Sequence, residues 1–191
     1  MTRSADHPIH PQFTARHSPR AFASAEMTDA QMHLLLEAAR WAPSASNNQP
    51  WRAAYGLRGD AGFTAIAATL ADFNAVWAPK ASGLIAWASR GVVTRDGVDA
   101  LNAWAAFDTG AAWGYLALQA QEMGLITHAM GGFDAAKLAA SLNMPSEFTL
   151  HAVIAVGYIG DAADLPEPLR AREAPNGRNA VGTWAAKGNF A

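Results

Sequence analysis

The sequence predicts a single domain in which helices alternate with strands, the helices covering both faces of a sheet. Three observations predict it. Helix-periodic segments and short apolar runs follow one another along the chain without an internal repeat or a domain linker. The 191 residues and 20.1 kDa fit one domain, since domains commonly run ~100 to 200 residues. Hydrophobic residues make up 51% and charged residues 16%, against about 25% charged in an average soluble domain. That leaves little charge to cover an exposed surface and points to a large interface.

The elements follow in order. Thr28-Asp29-Ala30-Gln31 has the form of a capping box, and Met32, Leu35, Leu36 and Ala39 follow at helical spacing, which predicts a helix from Asp29 to Arg40. Pro43 forbids its continuation and restricts the residue before it. A Ser/Asn loop then feeds a strand over Trp51 to Leu57. Phe63 to Leu70 reads as helical, and Ser82 to Ala88 as a strand in a sheet covered on both faces. Asp99 to Met123 is a nearly unbroken series of Ala, Trp, Leu and Gly, predicting a buried helix stopped by Gly124 and kinked near Phe107 to Gly110. Ile126 to Met130 predicts a strand, Asp134 caps a helix to about Leu142, and Leu150 to Tyr158 is a further strand. From Asp161 the chain carries prolines and arginines with weak periodicity and needs another surface to pack on.

Composition excludes several classes of function. Fourteen basic and sixteen acidic residues give a net charge of -2, which attracts neither nucleic acid nor an anionic membrane. Zero cysteines rule out disulfides, iron–sulfur clusters, thiolate zinc sites and thiol catalysis, so redox chemistry needs a bound cofactor. The N-terminal dozen residues lack an apolar signal-peptide core, and the apolar run Ala103 to Ala120 is broken by Asp108, Thr109 and Gln119. A cytoplasmic location without a membrane span is the simplest expectation. The pair His7 and His10 lacks a third metal ligand and reads as a tail. His33, His128 and His151 lie in apolar periodic stretches and read as packed or surface residues, while the seven tryptophans read as core and interface packing.

Two segments point to a ligand. Arg16-His17-Ser18-Pro19-Arg20 offers two guanidiniums, an imidazole and a hydroxyl, a set suited to a phosphate and the polar edge of a planar ring. Pro43-Ser44-Ala45-Ser46-Asn47-Asn48-Gln49-Pro50-Trp51 places small polar side chains and amides between a helix and a strand, and reads as a binding loop. Together they suggest a nucleotide-like cofactor.

Both segments, in this order and near this spacing, resemble the FMN-dependent nitroreductase family. Asn74, Phe107-Asp108-Thr109-Gly110-Ala111-Ala112, Gly124-Leu125, Gly131-Gly132-Phe133-Asp134 and Arg178 extend the resemblance from about Phe13 to Arg178. It implies an α+β fold, a mixed β-sheet flanked by helices, with the long central helix at a homodimer interface and FMN bound between subunits. It also implies one domain over 1–191, with 1–12 flexible and 161–191 an arm on the partner subunit.

The resemblance assigns roles residue by residue. Arg16, Ser18 and Arg178 are similar to phosphate ligands, with His17 at the phosphate or ribityl chain. Arg20 corresponds to a cation near flavin N1 and O2, where charge accumulates on reduction. Ser44, Ala45, Ser46, Asn47 and Gln49 correspond to a loop that reaches the partner subunit's FMN, Ala45 standing where serine is common. Their local alternative is turn chemistry. Asn74 matches a residue at the N5 and O4 edge, and Met130, Gly131 and Gly132 match a segment whose backbone runs along the ring. Trp77 stands where some relatives carry a lysine, and Gly131 where many carry an acid. No side chain is assigned to catalysis.

The activity implied is hydride transfer from NAD(P)H to the flavin and on to a small electron-poor acceptor, a nitroaromatic or a quinone, by ping-pong kinetics. The alternatives are a flavin-binding or sequestering protein with little turnover, and a specialised flavin enzyme of the dehalogenase or dehydrogenase kind.

Overall fold

Thr28 and Gln31 close the expected capping box: Thr28 Oγ1 accepts from the Gln31 amide at 3.2 Å and Gln31 Oε1 from the Thr28 amide at 2.9 Å. Helix α2 (Asp29–Arg40) starts there, after a short α1 (Pro11–Ala15), in a computed structural model that describes residues 3–190. Strands β1 (Trp51–Leu57), β2 (Gly83–Arg90), β5 (Ile126–Met130) and β6 (Phe148–Gly157) form one sheet in the order β1-β2-β6-β5. The expected α+β class holds. All three pairings are antiparallel among the described residues, where the resemblance implied a mixed sheet.

Strand alternation builds the two cores. On β2, Leu84 and Ala86 face one core while Ile85 and Trp87 face the other; on β6, Val153 and Ala155 oppose Ile154 and Val156 in the same way. One face is covered by α2 and by α5 (Ala105–Glu122), through Met32, Leu35, Leu116 and Ala120. The other is covered by α3 (Ala61–Ala67) and α6 (Ala135–Ser141), through Phe63, Ile66 and Leu138, with Trp77 just after the single-turn α4 (Asp72–Ala75). This is the doubly covered sheet that the apolar run at Ser82–Ala88 predicts.

One expectation is corrected. The helix predicted from Asp99 begins at Ala105, because Val98–Leu101 is a strand, β4, paired antiparallel with β3 (Val92–Arg95). Asp96 and Gly97 form the turn with φ of 50° and 78°, the left-handed pair that a two-residue hairpin requires. The Asp-Gly dipeptide was the available signal. Nor is there a kink near Phe107: α5 is continuous to Glu122 and ends on Gly124 at φ 70°, with the Leu125 amide returning to the Ala120 carbonyl at 2.8 Å.

The termini meet beside the sheet. Phe22 bridges Ile159, and the Gly160 amide donates to the Ala21 carbonyl, which ties the segment after Arg20 to the end of β6. Beyond α7 (Glu167–Arg170) the arm is largely exposed, with Val181 donating its amide to Asp6 Oδ2. Of the 1–12 and 161–191 segments, Met1, Thr2 and Ala191 lie outside the described residues. Among the described residues no helix is long and apolar enough to cross a membrane.

Candidate functional site

Helix α1 ends at Ala15, and the chain continues extended through Arg16 into a cleft of about 390 Å³. Arg16, His17, Ser18 and Arg20 line it, together with Arg172, Glu173 and Arg178 of the C-terminal arm. Arg16 Nη1 donates to Ser18 Oγ at 3.2 Å, and His17 Nδ1 lies 3.3 Å from the Ala15 carbonyl. The structure therefore gathers Arg16, His17, Ser18, Arg20 and Arg178 from opposite ends of the chain into one place.

Four charged or titratable lining residues escaped sequence reasoning: Arg3, His128, Arg172 and Glu173. Arg3 donates through Nη1 to the carbonyls of Thr14 and Arg16, both at 2.7 Å, which brings a further guanidinium to the cleft. No local pattern at the N-terminus marks it. His128 on β5 sits 3.1 Å from the Pro19 carbonyl through Nδ1 and was read as an ordinary packed residue. Its signal was period two: it precedes Met130 by two residues on a strand and so shares its face.

Five guanidiniums (Arg3, Arg16, Arg20, Arg172, Arg178) line this cleft against one carboxylate, Glu173. Burial, then the charges of Arg3 and Arg178, push the Arg16 pKa below the usual guanidinium value. Burial, then Arg178, do the same to Arg3. Such an uncompensated cluster favours an anion with several acceptor oxygens. Burial holds His128 below the ordinary histidine value, and the nearby Arg20 charge adds to this.

The Arg20 guanidinium lies 6.0 Å from the Trp77 ring centroid, and its Nε is enclosed without a partner. Trp77 is fully buried, stacked on Phe22 at 6.2 Å and tilted against His128 at 4.7 Å. It backs the cleft from the core, against the lining residues Arg20 and His128.

Asn74 and the Met130–Gly132 segment meet one another, and none of these residues lines the Arg16 cleft. The Leu70–Phe133 bridge and the Ala71 amide on the Gly132 carbonyl hold them together, and Asn74 Nδ2 donates to the same carbonyl at 2.9 Å. A Cβ on Gly132 would lie 2.9 Å from Asn74 Nδ2, so any larger residue there requires the Asn74 side chain to shift. At Gly131 a Cβ meets nothing within 4 Å.

The loop after α2 stands apart. Ser46, Asn47 and Gln49 adopt left-handed φ of 51°, 53° and 47°, a run of strained positions of the kind that collects at binding sites. Buried Asp108 in the first turn of α5 accepts from the Ala45 amide at 3.0 Å, and Ser44 Oγ accepts from the Gln49 amide at 3.0 Å. Ser44, Ala45, Ser46, Asn47 and Gln49 do not line the Arg16 cleft. A neighbouring cleft that shares Arg16, Ser18 and His128 meets α5 at Trp113, Ala117 and Leu118. None of residues 44–49 lines this second cleft either, so within one chain the loop lies outside both.

Residues 13–55 and 62–158 match a family model described as the nitroreductase family. A Mycolicibacterium smegmatis protein described as an uncharacterized 15.4 kDa protein in the ask 5'region is 36% identical over 133 residues, covering 69% of this chain and 86% of its own. A Thermus thermophilus protein described as an NADH dehydrogenase is 29% identical, covering 75% of this chain and 82% of its own. A solved structure described as an oxidoreductase containing FMN superposes with a TM-score of 0.96 at 36% identity, over 99% of this chain and 96% of that one.

Proposed function

The chain belongs to the nitroreductase family, and from that premise we propose that it is an FMN-dependent oxidoreductase. It takes hydride from NAD(P)H and passes it in a second half-reaction to a small electron-poor acceptor, such as a nitroaromatic or a quinone. The observation that carries the proposal is the cleft in which five guanidiniums from three parts of the chain face one carboxylate. A flavin mononucleotide fits that donor set, with a doubly charged phosphate at one end and a polar ring edge at the other. Bound there, FMN would supply the redox chemistry through its N5 position.

The chain's own residues then bind, orient and screen. Arg16, Ser18, Arg178 and Arg3 hold the phosphate through charge-assisted hydrogen bonds, with His17 beside them. Arg20, lining the same cleft, would meet the N1 and O2 edge and so favour the reduced state. Asn74, whose Nδ2 donates to the Gly132 carbonyl, would offer its Oδ1 to the N5 and O4 edge. Trp77 and His128 close the cleft from behind and exclude water there.

The second copy of a homodimer supplies Ser44, Asn47 and Gln49. Leu101, Trp104 and Phe107 expose 81%, 59% and 74% of their surface on and beside α5, apolar area that a partner subunit would cover. An obligate dimer of this kind buries upwards of ~2,000 Å².

Purified protein tests the reading directly. It should be yellow, with FMN near one per chain, dimeric by light scattering, and bleached under argon by NADH or NADPH, with colour restored by a nitroaromatic or a quinone. A colourless protein, or one holding FAD, would refute it. FMN that neither nicotinamide bleaches would establish a sequestering protein instead.

A further inference from the structure

The carboxylate in the cleft sits at an unusual place. Glu173 Oε1 accepts from the backbone amides of both Arg20 and Ala21, at 2.7 and 2.8 Å, across a separation of 153 and 152 residues. Its Oε2 is enclosed with no partner, as is Arg20 Nε. The groups facing it are all cationic or neutral: Arg20, Arg172 and His128. A glutamine would offer the same Oε1 to the same two amides. What the carboxylate adds is a negative charge next to Arg20, the cation assigned above to the ring edge.

Resting on the FMN reading above, we propose that Glu173 is a positioning residue that sets the redox balance of the bound flavin. It fixes Arg20 through its backbone and offsets its charge. Reduction places negative charge at the ring edge, so Arg20 binds the reduced form more strongly than the oxidised one and Glu173 trims that preference. The arm carrying Glu173 is thereby part of the cofactor's electrostatics as well as its enclosure. Burial, the largest influence on Arg20, lowers its pKa; Glu173 raises it and Arg172 lowers it, so the two charges act on each other.

The test is Glu173→Gln, read by the midpoint potential and by dissociation constants for oxidised and reduced FMN. Gln keeps the oxygen that both amides use, so the fold persists. The reduced form should tighten relative to the oxidised form by about tenfold, a midpoint raised by ~30 mV for a two-electron couple. Glu173→Ala removes the oxygen as well as the charge, and should raise the midpoint too while weakening FMN in both states. A purely structural role would weaken both states alike and leave the midpoint in place. An unchanged or lowered midpoint in the Gln variant overturns the inference. A parent protein that takes up no FMN would overturn the underlying reading instead, before either variant is made.

Discussion

Asn74 and Gly132 are interlocked: the asparagine Nδ2 donates to the glycine carbonyl at 2.9 Å, and a Cβ on that glycine would stand 2.9 Å from the same nitrogen. The contact joins α4 to the segment just after β5 across 58 residues of sequence. Gly132→Ala should therefore displace Asn74 and cost about 1 to 3 kcal/mol, the range of overpacking. Gly131→Ala, with no atom within 4 Å of its Cβ, should leave stability near the parent's. Urea unfolding of the two variants measures the difference, and equal midpoints would remove the interlock.

Arg16 and Arg20 line one cleft but should differ in redox effect. Arg20→Ala should lower the FMN midpoint by tens of millivolts, since a charge-assisted contact is worth roughly 1.5 to 3 kcal/mol and ~1.4 kcal/mol corresponds to ~30 mV. Arg16→Ala should weaken oxidised and reduced FMN alike and leave the midpoint nearly fixed. Potentiometry that ranks Arg16→Ala above Arg20→Ala would reverse the two assignments.

The apo protein should bind simple anions. With Arg3, Arg16 and Arg178 repelling one another, inorganic phosphate or sulfate should raise Tm, by mass action on the folded state. Arg3→Ala should reduce that gain. Thermal scans in matched chloride separate the specific effect from ionic strength, and an equal response to chloride would argue against a phosphate subsite.

Asp108 holds the loop after α2 through its hydrogen bond to the Ala45 amide. Asp108→Ala should cost roughly 1.5 to 3 kcal/mol, the value for a bond to a charged group, and should make the 44–49 segment more susceptible to limited proteolysis. Asp108→Asn keeps an acceptor and should lose less. A loop equally protected in all three proteins would show that its left-handed residues hold it without help.

Burial depresses the pKa of His128, Arg20 adding to the effect, and burial depresses that of His151. A depressed folded-state value means that the unfolded chain binds protons first as pH falls. Stability is then fully present above the unfolded value near ~6.5 and declines as pH drops from there toward the folded values. Tm should fall between pH 7 and pH 5, and His128→Gln should flatten part of that fall. A slope unchanged in the variant would exclude His128 as its source.

Local chemistry decided much of this protein before any contact across the chain was known. The Thr28–Gln31 capping box, Pro43 after α2, the Gly124 stop and the bounds of β1 and β5 all follow from bonds or steric rules that span a few residues. The Arg16 to Arg20 cluster stood out as a local group of cations and donors, whereas Asn74 and the Met130–Gly132 segment came forward only through the family resemblance. The β3–β4 hairpin was hidden because its apolar residues blend into the run that becomes α5, although Asp96-Gly97 carried the turn. Only the tertiary structure decided which remote charges meet that motif. Arg3, His128 and Glu173 reach it through hydrogen bonds across 13, 109 and 153 residues, and no sequence pattern encodes a contact at that separation. The fold likewise kept the 44–49 loop out of the cleft: Asp108 anchors it in the first turn of α5, and no residue of the loop lines the cleft.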